Sequence, residues 1–221
     1  MLILGVDCSS KQGSVAVVRD GKPLYQCVYD SNMTHSQNLL SLIENAVTIC
    51  GMDKKDIDLF AVTLGPGSFT GLRIGLALVK GMAMALDKPC VGVSSLKAMA
   101  ECVDLDGVVI PCFDARRGQV YRCVMDGKEI IADDDCIMAA DMEQFVKDCT
   151  KDIYFVGDGK DVCYNKFKEY ENVKTHSVLM PCIAYGACLL AENMPQQTHF
   201  ELSPSYLRLS QAERELKEKN K

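Results

Sequence analysis

Val108-Val109-Ile110-Pro111-Cys112-Phe113-Asp114, then Gly118-Gln119-Val120-Tyr121, then Asp126-Gly127-Lys128, repeats a pattern already seen at the start of the chain. There Ile3 to Asp7 is an apolar run ending in aspartate, Gly13-Ser14-Val15-Ala16 follows a polar turn, and Asp20-Gly21-Lys22 closes a hairpin. Asp-Gly between strand-like runs is a strong hairpin signal, because both turn residues tolerate positive φ. Each copy therefore reads as an antiparallel meander whose first strand ends at an aspartate, Asp7 or Asp114. A repeat of this size implies two related lobes. We place them at residues 1–106 and 107–221, with the chain free to cross back to the first lobe near its end.

Outside the meanders, helices and strands alternate, as in a mixed sheet with flanking helices. Leu2–Asp7, Ser14–Arg19 and Leu24–Tyr29 read as strands. Thr34-His35-Ser36-Gln37 matches a capping box, and Leu39, Leu40, Ile43, Ala46, Val47 and Cys50 recur at helical spacing up to Gly51 as C-cap. A strand over Leu59–Leu64, a helix over Leu72–Leu86, a strand over Cys90–Val93 and a helix over Ser95–Val103 follow. In the second half, helices are expected over Ala139–Cys149, Asp161–Tyr170 and Ile183–Glu192. A strand is expected at Ile153–Val156, and a charged tail at Ala212–Lys221.

Gly65-Pro66-Gly67-Ser68-Phe69-Thr70-Gly71-Leu72-Arg73-Ile74-Gly75 joins the fourth strand to its helix. Glycine allows close backbone approach. Ser68 or Thr70 can cap the helix start, where free N–H groups and the helix dipole attract anions. Two readings stand: tight packing of helix on sheet, or an anion site formed with Gly65, Gly67 and Gly71. The spacing is neither that of a Walker A loop nor Gly-x-Gly-x-x-Gly.

The chain has 221 residues, enough for two small lobes, and 48 % of them are hydrophobic, which argues against disorder. A net charge of −6 makes it a poor direct ligand for phosphate backbones. Its 12 cysteines show no Cys-x-x-Cys pair and lie in apolar segments, so we read them as reduced, mostly buried thiols. The chain opens on a strand without a basic leader, and the apolar helix carries Arg73 and Lys80 and is short for a bilayer. A cytoplasmic protein without a membrane segment is expected.

Two lobes built on such meanders resemble the actin, sugar-kinase and Hsp70 (ASKHA) fold. That resemblance implies a nucleotide between the lobes, with its phosphates facing the turn Asp7-Cys8-Ser9-Ser10-Lys11-Gln12-Gly13. Asp7 would orient a metal or water, and Ser9 and Ser10 would donate to phosphate. An ordinary polar hairpin, with Asp7 bonding its own turn, explains the same residues.

Five segments resemble the TsaB (YeaZ) family. They are Leu4-Gly5-Val6-Asp7-Cys8-Ser9, His35-Ser36-Gln37-Asn38-Leu39-Leu40, the glycine loop, Asp114-Ala115-Arg116-Arg117-Gly118-Gln119-Val120-Tyr121 and Pro204-Ser205-Tyr206-Leu207-Arg208. The resemblance implies a non-catalytic subunit supporting TsaD, which transfers a threonylcarbamoyl group from its adenylate to the tRNA adenosine beside the anticodon. The ATPase TsaE would bind the pair, and tRNA would be met only indirectly. The tentative loop set is Asp7, Ser9, Ser10, Gly65, Gly67, Ser68, Thr70, Gly71, Asp114 and Arg116. No cofactor is required, although a weak or degenerate ATP/ADP site is compatible with that set. The resemblance also implies pairing through the first two helices, as a homodimer or with TsaD. His35, Leu39, Leu42, Arg73, Gly75, Ala77, Met82 and Leu86 would form that face.

Catalytic signatures are missing. TsaD carries a His-x-x-x-His metal pair where this chain, by the resemblance, has Ser95 and Met99. The three histidines, His35, His176 and His199, have no metal-ligand spacing, and no Gly-x-Ser-x-Gly elbow occurs. No metal site is expected, and a peptidase is disfavoured. A stand-alone ATP-binding enzyme of the sugar-kinase type is the main alternative.

Overall fold

The computed structural model describes residues 1–30, 35–174 and 181–208. The first sheet contains β1 (Leu2–Asp7), β2 (Gly13–Arg19), β3 (Lys22–Tyr29), β4 (Leu59–Gly65) and β5 (Cys90–Ser94). The second contains β6 (Val108–Arg116), β7 (Gln119–Asp126), β8 (Glu129–Met138), β9 (Ile153–Val156) and β10 (Val173–Lys174). Their orders are β3-β2-β1-β4-β5 and β8-β7-β6-β9-β10. In each sheet the first three strands pair antiparallel and the last two add in parallel. The two lobes thus share one topology, the internal repeat expected from the paired meanders.

The helices are α1 (His35–Ile49), α2 (Phe69–Leu86), α3 (Ser95–Glu101), α4 (Glu143–Asp148), α5 (Lys160–Phe167) and α6 (Ile183–Ala191). Alternation along the strands sorts them into layers. Leu2, Leu4 and Val6 face α1 and α2, while Ile3 faces α3 and α6. In β6, Val109 and Phe113 turn toward that same α3/α6 layer, and Val108 and Ile110 turn outward to α4 and α5. The order is helices, sheet, helices, sheet, helices. Gly5 makes the central layer fit, since a Cβ there would lie 2.3 Å from the Ala184 carbonyl oxygen on α6. The chain after β10 returns to the first sheet: α6 packs on β1 and β2, and Gln197 bridges to Cys90 on β5.

Turn chemistry matches the sequence at several points. Asp20 and Gly21 both have positive φ, 50° and 73°, in a two-residue hairpin. Gly51, at φ 63°, ends α1, with Met52 N–H donating to Val47 and Gly51 N–H to Thr48, a Schellman pair. Other expectations are corrected. The helix expected over 139–149 is a 3-10 turn (Ala139–Met142) followed by the short α4. β6 runs two residues past Asp114, because Arg117-Gly118 makes a tight turn to β7. The third strand of the second meander is present as expected, β8, and carries Ile130 and Ile131 exposed at a sheet edge. Helix α2 has 18 residues, more than expected, and by length and composition is long and apolar enough to cross a membrane. Its Leu72, Leu76 and Val79 side is buried against the sheet. The capping box on Thr34, His176 and the tail from Ala212 lie outside the described residues.

All 12 cysteines are free thiols. Seven are buried and five are half-buried.

Candidate functional site

A cleft of about 560 Å³ lies between the lobes. The first lobe contributes Ser9, Ser10, His35, Gly67, Ser68, Thr70 and Gly71, and the second contributes Asp114, Arg116 and Asp158. Most of the tentative loop set therefore converges. The exceptions are Asp7 and Gly65, which sit behind the wall. Gly65 is covered by the C-terminal segment, whose Ser205 carbonyl would stand 2.4 Å from a Cβ there.

Asp7 is wholly buried at the end of β1. Its Oδ1 accepts from Ser9 N–H at 3.1 Å and from Thr63 Oγ1 at 2.7 Å. Burial raises its pKa against the opposing pull of these hydrogen bonds. Asp114 repeats the local turn, since its Oδ1 accepts from Arg116 N–H at 2.7 Å. Asp158 Oδ1 in turn accepts from Asp114 N–H at 2.9 Å, and burial raises the Asp158 carboxyl. The Ser9, Asp114 and Arg116 amides thus all donate to the chain's own carboxylates.

His35 bridges two elements. Its Nε2 lies 3.0 Å from the Ser10 carbonyl, which can only accept, so Nε2 carries the proton. Nδ1, 2.7 Å from Tyr29 Oη, accepts from that hydroxyl in the neutral ring. His35 thus holds the Ser9-Ser10 turn against α1.

At the glycine loop, Ser68 N–H donates to the Ser9 carbonyl at 2.7 Å, and Ser68 Oγ caps α2 by accepting from Gly71 N–H. Gly71 has no alternative, because a Cβ would lie 2.0 Å from the Cys8 carbonyl oxygen. The tight-packing reading of this loop is therefore realised. The cleft's charges also pair internally, Lys11 with Asp30 at 3.1 Å and Arg116 with Asp114 at 3.5 Å.

Two cleft features went unread in the sequence. Arg208, at the end of the Pro204–Arg208 segment, lines the cleft and donates from Nη1 to the Ala115 carbonyl. Asp158 sits in the Gly157-Asp158-Gly159 loop after β9, and no local motif marks it as a cleft residue.

The helix face expected to meet a partner needs correction. Leu39 is fully buried beneath α1, and Gly75 faces Cys8 and Val6. His35 lines the cleft instead. Leu42, Met82 and Leu86 are half-buried against the outer core. Arg73 and Ala77 are exposed, and with Gly81 and Met84 they form one open stripe on α2. Arg73 donates through Nε to Tyr206 Oη at 2.8 Å.

Ser95 and Met99 are both fully buried on α3. Among the described residues, no three His, Cys, Asp or Glu side chains cluster as metal ligands.

Comparison with known proteins places this geometry. The family model for tRNA N6-adenosine threonylcarbamoyltransferase, TsaD, matches residues 30–215. The chain is 31 % identical to the tRNA threonylcarbamoyladenosine biosynthesis protein TsaB of Bacillus subtilis, over 96 % of each chain. The solved structure of YeaZ from Pseudomonas aeruginosa superposes with a TM-score of 0.77 at 24 % identity, covering 93 % of this chain and 99 % of that one. An ADPNP-bound activator of 2-hydroxyisocaproyl-CoA dehydratase from Clostridium difficile superposes at 0.52 with 12 % identity, over 86 % and 94 %. The last two are likenesses of fold, of the two-lobed ASKHA type.

Proposed function

The chain belongs to the TsaB family of tRNA threonylcarbamoyladenosine biosynthesis proteins, and from that membership we propose that it acts as a non-catalytic subunit holding a TsaD-type transferase in working form. The observation that carries this reading is the burial of Ser95 and Met99, at positions where the resemblance places the metal-binding histidines of the catalytic relative. A buried thioether and a hydroxyl offer no pair of imidazoles to grip a metal. The Ser9, Asp114 and Arg116 amides and the Lys11–Asp30 and Arg116–Asp114 pairs beside the cleft are engaged within the chain, which supports a support role over phosphoryl transfer.

In this reading the chain contributes a surface. The stripe Ala77, Gly81 and Met84 on α2 is exposed, and nothing stands within 4 Å of a Cβ at Gly81. Small residues there let a partner helix approach closely, while Met84 supplies adaptable apolar contact. A TsaD-type subunit occupies this face in the complex, and a second copy occupies it when the chain is alone. A TsaE-type ATPase joins the pair, and tRNA contacts fall mainly on the partners, consistent with the acidic charge of this chain.

Copurification tests the reading. The chain mixed with a TsaD-type protein should elute as a heterodimer at the expense of its homodimer, and Ala77→Glu should abolish both species. A heterodimer unaffected by Ala77→Glu would move the interface elsewhere. Steady ATP hydrolysis or phosphotransfer by the lone chain would favour the sugar-kinase alternative.

A further inference from the structure

We propose that the two lobes move as one rigid body, so that the cleft keeps a fixed width and does not close on a ligand. In a two-lobed fold, hinge motion is the default unless the interface between lobes is large and apolar. Here it is. A single buried cluster joins Ile3 of β1, Leu96 and Met99 of α3 and Ala187 of α6 to Phe113, Cys123 and Met125 of the second lobe, with α3 packing directly on β6 and β7. Opening the lobes would bring this central layer into water. The contact is also close: a Cβ on Gly157, after β9, would lie 2.9 Å from Met99 Sδ on α3. Packed interiors switch between discrete arrangements and do not deform continuously.

Two polar braces cross the same boundary. At the start of α3, Ser94 Oγ donates to Asp134 Oδ2 on β8 at 2.6 Å, and Lys97 pairs with Asp133 at 2.9 Å. Ser94 Oγ also accepts from Lys97 N–H, so one hydroxyl caps the helix and ties it to the second lobe. The other brace is the C-terminal segment. Ser205 N–H donates to the Leu64 carbonyl at 2.8 Å, Tyr206 stacks on Phe69 at 4.5 Å, and Arg208 reaches across to Ala115 of β6. This segment fastens the glycine loop of the first lobe to the meander of the second.

Non-cysteine spin labels on Lys11 and Asp161, which line one pocket from opposite lobes, test it by pulsed distance measurement. We expect one narrow distance distribution, shifting by less than about 2 Å on adding Mg-ADP, Mg-ATP or pyrophosphate. A second population, or a larger shift with any of these probes, would overturn the proposal. Scanning calorimetry of the unlabelled chain is the second readout. A single transition, with calorimetric and van't Hoff enthalpies in a ratio of about 1, is expected. Two resolved transitions would also overturn it.

Discussion

Thr63 Oγ1 donates to Asp7 Oδ1 at 2.7 Å, with both residues buried at the ends of the neighbouring parallel strands β4 and β1. The bond locks the carboxylate in place, yet burial still raises its pKa from the ordinary 3.8. A raised native value means that the folded protein holds the proton more tightly than the unfolded chain. The stability gained from this group is complete below the ordinary value and is lost as pH rises through the raised one. Asp134 and Asp158, also raised by burial, act in the same direction. Asp7→Asn keeps an acceptor oxygen and removes the charge. We expect it to melt above the parent chain at about pH 8 and to converge with it near pH 4. Parallel melting curves across that range would remove the buried charge from the account.

Two glycines on α2 should respond with opposite sign. Gly71→Ala drives a Cβ into the Cys8 carbonyl oxygen, a main-chain atom 2.0 Å away, so backbone must shift. A loss of about 1–3 kcal/mol is expected, at the upper end because the obstacle is main chain. Gly81→Ala meets open space within a helix and should add about 1 kcal/mol. Urea titration of both variants checks the pair. Equal effects would mean that the fit of α2 on the Cys8 turn is wrong.

The thiols should divide by burial. Burial pushes Cys102 up to about 12 and Cys182 to about 11 and raises Cys8 and Cys188, while Cys112 is raised by its hydrogen bond with Cys163 and then by burial. Thiolate is the reactive form, so these should resist alkylation in the native protein. Half-buried Cys27, Cys136 and Cys149 should be labelled first. Peptide mapping after a short iodoacetamide pulse reads the order, and early labelling of Cys188 would contradict it.

Ala77→Glu places a carboxylate on the exposed stripe of α2. The monomer should keep its melting temperature within about 1–2 °C, since surface changes are usually small. Binding to a TsaD-type partner should weaken at least about a hundredfold, because a charge buried without a partner typically costs several kcal/mol. Analytical ultracentrifugation and calorimetric titration separate the two effects.

Much of the architecture was legible because the repeat is written in local chemistry. Asp20-Gly21 states a hairpin, and two apolar runs ending in Asp7 and Asp114 state two matching first strands. The cleft residues on turns were legible for the same reason. The phase of α1 was not: Leu39 and Leu40 are adjacent and chemically alike, and only packing decides that Leu39 is buried and Leu40 exposed. The Asp126-Gly127-Lys128 hairpin implied edge strand β8, but its ten-residue length was not legible, because exposed Ile130-Ile131 and an acidic run lack clean alternation. Arg208 and Asp158 reach the cleft through contacts far apart in sequence, 93 residues for Arg208 to Ala115 and 44 for Asp158 to Asp114, which no local pattern records.

The central claim is that the chain supports tRNA modification without carrying out the chemistry. Threonylcarbamoyl transfer to tRNA should be measured in a reconstituted system of TsaD-type and TsaE-type proteins, with and without this chain. We expect multiple turnover only when the chain is present, no transfer by the chain alone, and loss of its effect on Ala77→Glu. Full multiple-turnover activity with the chain omitted would contradict the account.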